Sequence, residues 1–211
     1  MMNVAQIFPK LIGIVHFPQN MDDINNQLEN VKSRGNISEK YDKEWGTWSE
    51  DTYVLDQPQF ANFKQQLTDH ANTYFENVLC YKPAGLQMTQ SWVNVKAPDQ
   101  HHWPHKHPNS IISGTYYWQD DIVPLVFTDD AESNFHMEHD QEKLQEFDIA
   151  QKMMNCYVQK NTLVLFESNL MHGVGPNNSD KDRYSLAFNM FPTTLGNREV
   201  LSELNVTQMK K

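Results

Sequence analysis

From Met88 to Lys96 the chain steps in twos: Met88, Gln90, Trp92, Asn94 and Lys96 alternate with Thr89, Ser91, Val93 and Val95. That period belongs to an extended strand, whose successive side chains point to opposite faces, and a helix cannot accommodate it. Shorter segments after Gly85 repeat the signal. Ile111–Trp118 is β-branched and aromatic, Pro124–Thr128 reads as another strand, and Arg183–Phe191 as a further one. Met153–Gln159 and Leu163–Phe166 read as a hairpin turning through Lys160 and Asn161, since Asn tolerates the left-handed backbone of such turns. Residues 129–150 interrupt the series with an acidic insertion, read as a loop with a short helix that could serve as a lid.

Before Gly85 the period changes. Phe60, Phe63, Leu67, Ala71, Tyr74, Phe75 and Val78 recur at spacings of three and four, which predicts an amphipathic helix over Gln59–Leu79. Pro83 forbids its continuation. Residues 22–50 are polar and turn-rich, with Gly35 and Gly46 beside Trp45 and Trp48. Helical segments followed by many strands predict a mainly-β fold with flanking helices, a helix-backed sandwich or jelly roll. A length of 211 residues suits one domain. Within it, 1–85 would supply an N-terminal strand, a polar loop and a supporting helix, and 86–200 the jelly-roll core.

Composition removes several classes of function. A net charge of -10 argues against a nucleic-acid partner, which calls for a basic face. The two cysteines, Cys80 and Cys156, form neither a Cys-x-x-Cys pair nor a zinc spacing, so a disulfide-stapled secreted scaffold is not expected and a reducing cytoplasm fits. The start, Met1–Gln19, is broken by Pro9, Lys10 and Gly13 and lacks the plan of a signal peptide, and no apolar run reaches membrane-spanning length. The eight glycines are scattered rather than gathered into a phosphate loop. His136-Met137-Glu138-His139 matches neither zinc-protease order.

The chemistry concentrates elsewhere. His105 and His107 stand two apart before the Ile111–Trp118 strand, a spacing that puts both imidazoles on one face of an extended chain. His172 follows the apolar run Leu163–Phe166 across a short loop, and Arg183 opens the next strand. Each of these taken singly is compatible with an ordinary surface or structural residue. As an ordered set they suit a metal held on one side by three ligands, with positions left for a cosubstrate and oxygen.

The runs Ser91–Asn94, His105–Ser110 and Ser113–Tyr117, followed by Leu163–Ser168, Met171–Val174, Pro176-Asn177 and Arg183–Asn189, resemble the small 2-oxoglutarate/Fe(II) oxygenases of bacteria and phages, within the prolyl-hydroxylase-like superfamily. Trp45–Ser49 resembles the upstream element of the same group. The resemblance implies a double-stranded β-helix, Fe(II) on His105, His107 and His172, and 2-oxoglutarate as cosubstrate with its distal carboxylate on Arg183. Asn94, Ser113 and Tyr116 would face the same cavity, provided that no one-residue slip turns them outward. It further implies hydroxylation of a small-molecule or peptide substrate in the cytoplasm, the host's if the chain is phage-encoded. Substrate identity and oligomeric state are not legible.

One position departs from the superfamily. His107 stands where Asp or Glu is usual, leaving the metal one charge more positive; Asp99 is the upstream carboxylate that could substitute. Two other readings therefore stay open. A cupin-like three-histidine dioxygenase would bind its substrate directly to the metal and use Arg183 as a substrate clamp or structural charge. A ligand-binding jelly roll would have no catalysis at all.

Overall fold

A computed structural model describes residues 9–18, 20–34, 46–82, 85–120, 124–129, 153–197 and 199–206. Its elements begin with β1 (Ile12–His16), α1 (Asp22–Glu29), β2 (Thr47–Trp48) and α2 (Ala61–Thr73). Then come β3 (Leu86–Lys96), β4 (His102–His105), β5 (Ile112–Tyr117), β6 (Leu125–Thr128), β7 (Met153–Cys156) and β8 (Thr162–Glu167). β9 (His172–Val174), β10 (Arg183–Pro192), β11 (Thr194–Asn197) and β12 (Leu201–Asn205) complete the described part. A six-stranded antiparallel sheet runs β1-β8-β5-β10-β3-β2, and a four-stranded one runs β4-β9-β6-β7. From β3 to β5 and again from β8 to β10 the chain passes from large sheet to small and back. That alternation is the double-stranded β-helix.

Two apolar clusters hold it together. On the outer face of the large sheet, Phe60, Phe63 and Leu67 pack with Tyr116, Leu186, Phe188 and Met190. The second cluster, Tyr117, Leu125, Phe127, Val164, Phe166 and Leu170, combines side chains from both sheets. The faces divide by parity. Val93 and Val95 join the helix-backed cluster, and so do Met88 and Leu86. Even-numbered Met88 departs from the simple alternation because the β3–β10 register shifts between Asn189 and Met190, which skips Thr89 and exchanges the faces beyond it.

Two expectations need correction. Met153–Gln159 and Leu163–Phe166 do not form a hairpin: β7 pairs with β6 in the small sheet, while β8 pairs with β1 and β5 in the large one. Asn161 does adopt a left-handed backbone, φ 60°, but there the chain changes sheets instead of reversing within one. Residues 22–29 form a helix, not a polar loop. Its inward stripe of Met21, Asn25 and Leu28 contains a polar member, buried because Asn25 donates to Asn161 and accepts from the Tyr116 hydroxyl. Most of the 129–150 insertion lies outside the described residues.

Candidate metal centre

The centre starts with a bulge. β4 and β9 pair His102 with Val174 and His105 with His172, and the register shift between these pairs sets Trp103 and Pro104 against the single residue Gly173. Such a two-against-one step twists the strand and re-aims its side chains. Pro104 is accommodated because β4 is an edge strand. At Gly173 a Cβ would stand 2.7 Å from the His102 carbonyl oxygen and 3.0 Å from the Pro104 nitrogen, so glycine alone lets the strands meet. His107 follows in a loop whose backbone N–H donates to the Ser168 carbonyl at 3.0 Å. The ligating atoms of His105, His107 and His172 then lie within 4.8 Å of one another.

Each ring is oriented through Nδ1. His105 Nδ1–H donates to the Trp103 carbonyl and His172 Nδ1–H to the Leu170 carbonyl, both at 2.8 Å. His107 Nδ1–H donates to Asn189 Oδ1 at 2.7 Å and lies 2.8 Å from Ser113 Oγ. Carbonyl oxygens only accept, so these bonds fix the proton on Nδ1 and leave the Nε2 lone pairs for a metal. Nε2 of His105 and of His107 stand 3.1 Å apart, an approach of two unprotonated lone-pair nitrogens that a shared cation would satisfy. Burial, aided by the His105 ring, lowers His107 to about 4 and His172 to about 3. His105 is lowered chiefly by burial as well. At neutral pH all three rings are therefore uncharged, the form that binds metal.

A second polar group sits at the other end of the same face. Residues directly opposite in an antiparallel pair share a face. Arg183 stands opposite Lys96, Ser185 opposite Asn94, and Asn189 opposite both Gln90 and Ser113, so Arg183 shares the face of Asn189, the partner of His107. The guanidinium is buried with Nε and Nη2 lacking any partner, and it lies 5.4 Å from the centroid of the Tyr117 ring. Burial pushes its pKa down.

The sequence-predicted residues thus divide. His105, His107 and His172 come together, with Ser113 bonded to His107 and Asn94 on the shared face, where it accepts from the Trp92 indole. Tyr116 is placed on the wrong face by the expectation: its hydroxyl bonds Asn25 and Asn161, and its ring packs on Phe63 in the helix-backed cluster. The neighbouring Tyr117 instead lies on the Arg183 side, buried in the cluster between the sheets. Asp99 is exposed in a left-handed turn and is not among the clustered ligands. Sequence reasoning missed Asn189 and His102, whose ring stacks on His105 at 4.2 Å. Even spacing from Arg183 was the available signal for Asn189.

Residues 90–189 match the family described as "Putative 2OG-Fe(II) oxygenase", and that segment contains the three histidines and Arg183. Among curated proteins nothing matches the chain. Among solved structures, HygX from Streptomyces hygroscopicus, crystallised with nickel, 2-oxoglutarate and hygromycin B, is similar at 13% identity and a TM-score of 0.59, covering 87% of this chain and 84% of that one. The nogalamycin-biosynthesis carbocyclase SnoK, described as non-heme and alpha-ketoglutarate-dependent, is similar at 14% identity and a TM-score of 0.57, covering 86% of this chain and 80% of its own. An oxidoreductase of the 2OG-Fe(II) oxygenase family from Burkholderia pseudomallei gives 12% identity and a TM-score of 0.56, covering 84% of each chain. The fold is the one these oxygenases share. Residues 90–189, with the three histidines and Arg183, are thus similar to the 2OG-Fe(II) oxygenases in sequence, and the fold around them is the one those enzymes have.

Proposed function

We propose that the protein holds Fe(II) on His105, His107 and His172 and binds 2-oxoglutarate against Arg183 to hydroxylate a small, uncharged polar substrate. The observation that carries this reading is the Arg183 guanidinium, buried with two nitrogens unsatisfied on the face shared with the histidines' support. A buried cation with two unsatisfied nitrogens is costly, and a carboxylate offered by a ligand offsets that cost. The three neutral imidazoles fit iron, and a planar fork fits the distal carboxylate. Fe(II) held by His105, His107 and His172 would supply the redox chemistry that couples oxidative decarboxylation of 2-oxoglutarate, to succinate and CO2, to hydroxylation of a substrate C–H bond with the other atom of O2.

The chain's own residues supply the remainder. Asn189 and two backbone carbonyls hold the imidazoles in one tautomer. Phe166, 4.5 Å from the His172 ring, keeps water from that side. The mouth is a cavity of about 590 Å³ lined by Tyr53, Thr89, Gln90, Trp92, Asn109 and Asn189 together with histidines. Among its described lining residues none is acidic, lysine or arginine. Such a wall favours a neutral molecule that stacks on aromatic rings and hydrogen-bonds to amides. That HygX was crystallised with hygromycin B supports a small-molecule substrate. Cys80 and Cys156 are free thiols, which suits a reducing compartment such as the cytoplasm. Among the described residues no helix is long and apolar enough to cross a membrane.

The test is substrate-free turnover. Incubated with Fe(II), 2-oxoglutarate and O2, the protein should form succinate slowly, and His172→Ala and Arg183→Ala should each abolish it. Succinate formation that survives both substitutions would refute the assignment.

A further inference from the structure

His105 and His172 stand opposite each other on paired strands, whereas His107 lies in the loop between β4 and β5. A ligand on a loop is held less closely than one on a strand, so its neighbours must supply the anchorage. Three serines meet behind it. Ser113 Oγ, on β5, lies 2.8 Å from His107 Nδ1 and donates to Asn189 Oδ1 at 2.9 Å. Its oxygen is 2.8 Å from that of Ser168, which in turn is 2.7 Å from that of Ser110. Ser110 donates to the carbonyls of Ile112 and Met190, at 3.0 and 3.2 Å. A hydroxyl has one proton, and Ser113 and Ser110 spend theirs on carbonyl oxygens, which only accept. The Ser168 proton is therefore the one left for the links on either side of it. Ser113 and Ser168 are completely buried, so an unfilled link there is costly.

Ser168 also belongs to the turn between β8 and β9. Its carbonyl accepts from the His107 backbone N–H at 3.0 Å, and its own N–H donates to the Ile111 carbonyl at 2.9 Å. Two residues further on, the Leu170 carbonyl accepts from His172 Nδ1–H at 2.8 Å. One short turn thus holds the backbone of one histidine and orients the ring of another.

We propose that Ser168 is a positioning residue for the metal centre: through Ser113 its hydroxyl locks the His107 ring at the separation from His172 that the same turn sets. This rests on the metal reading above. Without the hydroxyl, the link that ties β5 to the loop around Ser110 is broken, and His107 gains freedom to swing away from the other two nitrogens.

Both backbone bonds of Ser168 survive in Ser168→Ala, which removes the hydroxyl and leaves the turn. Co(II), whose visible absorption reports its coordination geometry, is titrated into the metal-free protein in competition with a chelator. Ser168→Ala should bind Co(II) about 10- to 100-fold more weakly than wild type, with an altered spectrum. Ser113→Ala should lose a similar amount. The double variant should lose no more than the larger single loss, because the two residues act along one path. Unchanged Co(II) affinity and spectrum in Ser168→Ala, with only a lower melting temperature, is the pattern of a merely structural serine and overturns the proposal. Losses that multiply in the double variant overturn it too. Should Ser168→Ala fail to fold, Ser168→Cys, which substitutes a weak donor, decides on the same terms. Failure of wild type itself to bind Co(II) would instead remove the underlying metal reading.

Discussion

Asn189 holds the most demanding single position, because its Oδ1 is the acceptor that keeps the His107 proton on Nδ1. Replacing such an outer partner generally lowers metal affinity by about 10- to 100-fold. Asn189→Leu should do so with the fold intact, measured by competition with a chelator and by circular dichroism. Protonation follows the same rings. In the unfolded chain they titrate near ~6.5, whereas the folded protein holds His107 at about 4 and His172 at about 3. Between these values the unfolded state binds more protons, so the metal-free protein loses stability as pH falls from ~6.5 toward 4. Its urea midpoint should be lower at pH 5 than at pH 7.5, and His172→Phe should flatten that dependence. An equal slope in the variant would contradict it. The histidines and Arg183 were legible because their residue types are rare in these spacings. Asn189 was not, since a lone amide in a strand carries no signal without its partner. Tyr116 was misplaced by one residue, which is the whole difference between two faces of a sheet.

At the level of elements, the centre depends on how closely β4 approaches β9. Gly173→Ala would drive a methyl group into the backbone of His102 and Pro104, neither of which can yield as a side chain would. It should both lower the melting temperature and weaken metal binding, and unchanged affinity would show that the bulge does not set the ligand geometry. A change on the far side of the sheet should separate these effects. Phe63→Ala, in the helix-backed cluster, should cost about 3–5 kcal/mol of stability while the folded fraction keeps its full metal stoichiometry, as denaturation and elemental analysis would show. The strong periods of α2 and β3 were readable from the sequence because their apolar positions are uninterrupted. α1 was hidden by Asn25, a polar residue buried through partners 136 and 91 positions away. The false hairpin arose because left-handed Asn161 marks a change of sheet as well as it marks a tight turn.

For the molecule as a whole, the histidines sit on the small sheet and in the loop beyond it, while Arg183 sits on the large one. A metal and a dianion bound together would therefore bridge the two layers. Anything that binds only the folded state stabilises it, by about 2.7 kcal/mol at a hundredfold excess over Kd. Metal and 2-oxoglutarate should accordingly raise the melting temperature more together than either does alone. Arg183→Ala should retain the metal's share and lose most of the cosubstrate's, the loss of affinity amounting to about 2–5 kcal/mol. The central claim, that one site holds both, is tested most directly by titrating 2-oxoglutarate calorimetrically into the protein with and without Fe(II) under anaerobic conditions. One equivalent should bind when the metal is present, with affinity falling at least about tenfold when it is removed. Equal binding with and without the metal, or none in its presence, would contradict the account.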